Sequence, residues 1–292
     1  MKAISVPGAK VDAETRASSG LTSAVKSAVL LFLIFFPLSF LHLVTHEGGH
    51  ALVNLIHRVP STIVYIHPFS FAGYVRPVLD WSDPWLHIAG PMAGVLAPLL
   101  VFIPLWKHRS TANLFVLLLF PWNTFWEGLA VFDILGHSGD LYNVVRFTGL
   151  PATLFIIICI MLMIIGVFFT ISLFPLLGLK PENLNALWVI PAGTFLWALP
   201  GLGIAHWIVQ GSPIDVQYGL APAIIQSANY RLPMMLAIGI VLALVFVTLY
   251  RVTCRKLPAS LRTETKSLAW QDLRWPAAWS AVSVVTGLIL VR

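Results

Sequence analysis

Residues 27–56 read SAVLLFLIFFPLSFLHLVTHEGGHALVNLI, an apolar run that carries no charged residue before Glu47. A helix needs about 20 apolar residues to cross the hydrocarbon core of a bilayer. The run is long enough, and its ionisable side chains all lie in its second half. We therefore predict a transmembrane helix that carries a polar site towards its C-terminal end.

The polar end of this run contains the H-E-x-x-H motif His46-Glu47-Gly48-Gly49-His50. Residues four apart lie on one face of a helix, so His46 and His50 can bind one Zn²⁺ while Glu47 acts as general base on a water. Charged groups inside a span cost about 2.5–3.5 kcal/mol each on insertion scales, and metal coordination supplies a compensating partner. The motif predicts a zinc site at membrane depth.

The two histidines leave a third ligand to be found, because catalytic zinc commonly takes two histidines and one carboxylate beside a water. His42 lies on the same helix face, but it is eight residues from His50, about 12 Å along the axis, whereas Zn–N bonds are about 2 Å. We therefore expect His42 to be a supporting or packed histidine. The candidate ligands are concentrated around the end of the third apolar segment: Glu127, Asp133, His137 and Asp140.

The composition indicates the same class of protein as the opening run. Hydrophobic residues make up 58% of the 292 residues and charged residues only 10%, against roughly a quarter charged in soluble domains. The mean hydropathy is +0.85. These values exclude an ordinary soluble domain, and we predict an all-α polytopic protein that is integral to the cell membrane.

About seven apolar segments have a length near that of a membrane span. Between the first two, residues 62–75 are rich in β-branched and aromatic side chains, which predicts a short β-hairpin near the membrane surface. Residues 1–26 are polar and predict an N-terminal arm. The predicted spans are residues 27–56, 86–106, 111–135, 151–178, 185–210, 232–250 and 275–291.

Lysine and arginine residues are concentrated in alternate connections between these segments, beginning with the N-terminal arm. The positive-inside bias then places the N-terminus in the cytoplasm and the C-terminus outside. This topology accounts for the net charge of +6. We therefore expect the lipid bilayer, and no nucleic acid, as the partner of the basic residues.

Two further stretches carry a resemblance to a known family. The H-E-x-x-H motif, followed by Ala89-Gly90-Pro91-Met92-Ala93-Gly94, resembles the site-2 protease family of intramembrane zinc metallopeptidases, which has an A-G-P segment on the next helix. Residues 138–151, SGDLYNVVRFTGLP, resemble the S-D-x-x-x-L-x-x-x-T-G-x-P stretch of a less characterised, site-2-protease-like branch. The resemblance covers about half of the chain.

The resemblance implies a three-helix catalytic core over residues 27–150, with Asp140 as the third metal ligand and residues 151–292 as accessory transmembrane helices. Better-known members carry N-x-x-P-x-P-x-L-D-G on the third helix, and this pattern does not follow Asn123 here. Asp133 therefore stays a rival ligand. Known members also hold the site towards the cytoplasm, whereas the charge pattern here places the end of the first helix outside.

We predict from these observations an intramembrane zinc metalloendopeptidase that hydrolyses peptide bonds of membrane proteins or peptides within or near the bilayer. His46, His50 and Asp140 would bind Zn²⁺, and Glu47 would be the catalytic residue. Two alternatives use the same ligands without hydrolysis: a metal-binding membrane transporter and a non-catalytic relative that only binds partners. Glu47 separates these functions, since hydrolysis needs it and binding does not.

Overall fold

The computed structural model of the chain describes residues 8–59, 62–67, 72–76, 80, 82–177, 248–249, 252 and 269–290. Helices dominate this part of the molecule. The predicted spans at 185–210 and 232–250 lie outside the described residues, apart from residues 248–249.

The first helix, α1, runs from Gly8 to Ile56 and is 49 residues long. It contains the whole apolar run 27–56 and also residues 8–26 of the polar segment that precedes the run. The remaining helices are α2 (Pro84–Leu105), α3 (Leu114–Gly128), α4 (Val131–Leu135), α5 (Gly139–Thr148), α6 (Ala152–Leu173) and α7 (Arg274–Leu290). Short 3₁₀ turns occupy Trp106–His108, Phe174–Leu177 and Trp270–Leu273.

Three stretches of helix among the described residues are long and apolar enough to cross a membrane: Pro84–His108, Leu114–Leu135 and Ala152–Leu176. They overlap the predicted second, third and fourth spans. The first and last of these stretches are mostly unburied, as helices that face lipid are, whereas Leu114–Leu135 is mostly buried against its neighbours. The structure thus confirms a mostly helical chain with several helices of membrane-spanning length.

Two short strands follow α1. Strand β1 (Ile63–His67) pairs antiparallel with β2 (Ala72–Arg76), with Ile63 opposite Arg76 and His67 opposite Ala72. Residues 68–71, which join the strands, lie outside the described residues. Both strands contact α1, so they lie beside the helix that carries the H-E-x-x-H motif.

The start of α2 is fixed by the sequence Asp83-Pro84. The Asp83 side chain accepts a hydrogen bond of 2.9 Å from the Trp85 amide, and Pro84 occupies the first helical position, where its fixed φ suits the helix. The helix then packs against α1 so closely that a Cβ on Gly49 would meet the carbonyl of Ala89. This contact holds the beginning of α2 beside the H-E-x-x-H motif.

A tight turn between α4 and α5 reverses the chain towards α1. His137 has φ +54° and Gly139 has φ +79°, and the left-handed region favours glycine. A Cβ on Gly139 would also meet the Asp133 side chain. Beyond the turn, α5 is anchored by Leu141 and Val144, which are buried in an apolar cluster with residues of α4 and α6. Asp140, in the first turn of α5, is thereby fixed in position.

The larger apolar core lies along α1 on the N-terminal side of the H-E-x-x-H motif. Leu30, Ile34 and Leu38 of α1 pack there with Phe102 of α2 and Leu117 of α3, all almost fully buried. This core sets the mutual positions of α1, α2 and α3. The motif and the side chains that face it from α2 and α3 are held in place as a consequence.

Candidate metal centre

His46, His50 and Asp140 lie together at the junction of α1 and α5. Asp140 Oδ2 is 3.2 Å from His46 Nε2 and 3.3 Å from His50 Nε2. All three ligand atoms lie within 4.8 Å of one another. A tetrahedral zinc ion with bonds of about 2.0–2.1 Å separates its ligand atoms by about 3.3 Å. The group can therefore hold a metal ion.

Each of the three side chains has a second partner that orients it. His50 Nδ1 donates to the Leu86 carbonyl at 2.6 Å, and His46 Nδ1 donates to Glu127 Oε1 at 2.8 Å. These bonds leave both Nε2 atoms as free acceptors facing Asp140. Such partners commonly fix the tautomer and ring orientation of metal-binding histidines.

Asp140 is oriented in the same way by a histidine of α2. His87 is buried, and its Nδ1 donates to Asp140 Oδ1 at 3.1 Å. Burial acts to raise the pKa of the Asp140 carboxyl, but the neighbouring imidazoles of His46, His50 and His87 outweigh it and hold the pKa well below its usual range. The carboxylate is therefore ionised, as metal binding requires.

Gly90 of α2 faces the histidine pair. A Cβ at this position would meet the Nε2 atoms of both His46 and His50. Any other residue would fill the space onto which the two ligand nitrogens open. The glycine of the A-G-P segment therefore leaves room for an ion and for the group that an ion would bind.

Glu47 lies beside the three potential ligands. The residue is only 4% exposed, and its carboxylate interacts electrostatically with His46, His50 and Asp140. Its Oε2 is buried without a hydrogen-bond partner among the described residues. Buried polar atoms are usually satisfied, so this oxygen is placed to bind a water or a substrate group at the centre.

Asp133 and His137 lie away from the ligand atoms, whereas His42 forms a second group of potential ligands with His46 and Glu127. Asp133 belongs to neither potential metal group among the described residues, and its side chain lies against Gly139. His137 is exposed and contacts Tyr142 edge-on. His42 Nδ1 is 3.8 Å from Glu127 Oε1 and its ring stacks on Trp126. The structure brings Asp140, and not Asp133, to the histidine pair.

Asn123 ties the three helices of this region together. It is fully buried, and its amide nitrogen donates to the Gly94 carbonyl at 3.0 Å and to Thr45 Oγ1 at 3.2 Å. These bonds join α3 to both α2 and α1. Asn123 therefore contributes to the helix packing around the centre.

Sequence reasoning did not include His87, and it considered Glu127 only as a possible third ligand. A signal for His87 was present, because an ionisable residue inside the second apolar segment is costly unless it has a function. Glu127 has the same signal in the third segment. Neither signal identifies the partner, which depends on how the helices pack.

No protein-family model matches the chain, and no match is found among curated proteins or solved structures.

Proposed function

We propose that the chain is an intramembrane zinc metalloendopeptidase, a multi-pass protein with about seven transmembrane helices that cleaves membrane proteins or peptides. One observation carries the proposal. Two imidazole nitrogens and a carboxylate oxygen converge at the spacing of metal ligands, beside a buried glutamate oxygen that has no partner among the described residues. Two histidines and one carboxylate are a common ligand set of catalytic zinc.

In the proposed reaction, zinc would activate the carbonyl and the water, and Glu47 would transfer the proton. When bound, zinc would polarise the scissile carbonyl and lower the pKa of a water towards about 7. Glu47 accepts a proton from the attacking water and delivers it to the leaving amine.

The helical surroundings support a substrate that comes from the bilayer. Three helices of membrane-spanning length belong to the described part of the chain, and the centre is built from two of them together with α1 and α5. The peptide bonds of a membrane helix are engaged in its own hydrogen bonds. A substrate helix therefore has to unwind locally before its carbonyl reaches the centre.

The distribution of buried ionisable groups favours hydrolysis over transport. Within the described residues, the buried Glu, Asp and His side chains all belong to this one centre: Glu47, His50, His87 and Glu127. Transport calls for ionisable residues spread along a path through several spans. A single cluster is better suited to one fixed ion.

The proposal is tested by measuring zinc content and cleavage of a panel of membrane-helix substrates with the purified chain. We expect one zinc per chain, loss of cleavage on chelation and recovery on addition of zinc. Asp140→Ala should lose both zinc and cleavage because it removes a ligand, whereas Asp133→Ala should retain both. Zinc uptake into vesicles that contain the purified chain, without any cleavage of the substrates, would support the transporter instead.

Replacing His87 with phenylalanine should weaken zinc binding by about 10–100-fold, the usual effect of losing an outer partner of a ligand. The new ring can keep the stacking on Phe147, where the two ring centroids are 5.8 Å apart, but it cannot donate to Asp140. Competition with a chelator measures the affinity. The exposed His108→Phe is the matched control, and equal affinities of the two variants would contradict a role for His87.

A further inference from the structure

The buried carboxylate of Glu127 lies directly behind His46. The residue is 3% exposed, and its Oε1 is 2.8 Å from His46 Nδ1, while the other ring nitrogen, Nε2, is 3.2 Å from Asp140 Oδ2. A neutral imidazole carries one hydrogen, on either nitrogen. Both neighbours are carboxylates, which can only accept. When a cation occupies the Nε2 side, the contact with Glu127 keeps the hydrogen on Nδ1 and leaves the Nε2 lone pair for the metal.

The α2 backbone leaves room for this carboxylate. A Cβ on Gly94 of α2 would clash with Glu127 Oε1, so the glycine lets Glu127 reach His46 in its present position. His42 Nδ1 is 3.8 Å from the same oxygen, which is too long for a hydrogen bond. Among the described residues, His46 is thus the hydrogen-bond partner of Oε1.

The negative charge of Glu127 also favours a cation bound to His46. A buried carboxylate is costly unless positive charge or hydrogen bonds compensate for it. Glu127 and Asp140 lie on opposite sides of the His46 ring, and a divalent cation at Nε2 would balance their two negative charges. Removing Glu127 would therefore remove both the acceptor that orients the ring and part of the charge that favours the cation.

We propose that Glu127 is a positioning residue, which fixes the His46 tautomer so that Nε2 is ready to bind the metal. The inference rests on the proposed function and extends it to a residue outside the ligand set. The rival interpretation is a second cation held by His42, His46 and Glu127, whose ligand atoms lie within 4.8 Å of one another. The 2.8 Å separation of His46 Nδ1 and Glu127 Oε1 is a hydrogen-bond distance and is shorter than the roughly 3.3 Å between ligands of one zinc.

The test compares zinc affinity and stoichiometry in the full-length native chain, Glu127→Leu and Glu127→Gln. We expect one zinc per native chain and about 10–100-fold weaker binding in Glu127→Leu, since the acceptor is lost. Glu127→Gln should lose less, because its amide oxygen can still accept from Nδ1. The visible spectrum of bound Co²⁺ provides a second readout, and it should change in Glu127→Leu but be preserved in Glu127→Gln.

Thr124→Val is the matched control for a buried polar change on α3. Thr124 is fully buried, and its hydroxyl donates only within its own helix, to the Phe120 carbonyl. A purely structural role would make Glu127→Leu resemble this control, with lower stability but native zinc affinity. If Glu127→Leu fails to fold, Glu127→Met serves as a second variant, because methionine also lacks the negative charge and the carboxylate oxygens. A native zinc affinity and a native Co²⁺ spectrum in Glu127→Met would likewise overturn the proposal.

The outcomes separate this inference from the proposed function. Two zinc ions per native chain, with one lost in Glu127→Leu and in His42→Phe, would overturn the positioning role while leaving the peptidase intact. Zinc binding that depends on Glu127 without any cleavage would overturn the peptidase and support the positioning role. A native chain that binds no zinc would overturn both.

Discussion

Glu47→Gln is expected to lower the cleavage rate by about 10²–10⁴-fold, the usual contribution of general acid–base catalysis, with zinc still bound. The amide has nearly the shape of the carboxylate but cannot accept a proton from water. It also leaves His46, His50 and Asp140 in place. Single-turnover cleavage at saturating zinc, together with the metal content of the same sample, measures both quantities.

A carboxylate far from the centre provides the control for this change. Asp272 accepts a hydrogen bond of 2.8 Å from the Ala269 amide, and an asparagine there can accept the same bond. Asp272→Asn should therefore cleave at the native rate. Equal turnover by native protein and Glu47→Gln would falsify the hydrolytic function and leave a metal-binding protein without this chemistry.

The part of the centre that follows from local periodicity was predictable from sequence. His46 and His50 are one helical turn apart wherever a helix forms, and the apolar run around them made a helix the only reasonable structure. The histidines lie on one face of α1, as the spacing predicted, and Glu47 is buried beside them. No knowledge of the remaining chain was needed for this step.

The choice between Asp133 and Asp140 could not be made from periodicity. The two residues are separated by a turn in which His137 and Gly139 adopt positive φ, and that turn decides which carboxylate faces α1. In the sequence alone, the family resemblance favoured Asp140, while the missing third-helix pattern kept Asp133 open. The geometry of the turn is what separates them.

The roles of the glycines were also only partly predictable. Either Gly48 or Gly49 of the motif can allow another backbone to approach closely, because neither has a Cβ. In the structure the two differ. Gly49 packs against the Ala89 carbonyl of α2, whereas Gly48 is exposed among the described residues. Which glycine contacts a helix depends on the rotation of α2 against α1, and such packing is not encoded in the spacing of the motif.

Gly90→Ala should abolish tight zinc binding, with a loss greater than the roughly 100-fold that follows from changing an outer partner of a ligand. The added methyl group would meet the Nε2 atoms of His46 and His50, which are the atoms that bind the ion. Imidazole rings can rotate away without disturbing the backbone. The chain should therefore still fold, and chelator competition together with helix content by circular dichroism measures both properties.

Two other glycines make this prediction specific, because an added methyl group meets a different neighbour at each. Gly48→Ala meets no atom of the described part of the chain within 4 Å, so it should bind zinc as the native chain does. Gly49→Ala meets the backbone of Ala89, so it should lower stability whether or not zinc is present. Native zinc affinity in Gly90→Ala would place the ion elsewhere, since a methyl group and a metal ion cannot share the space between the two imidazoles.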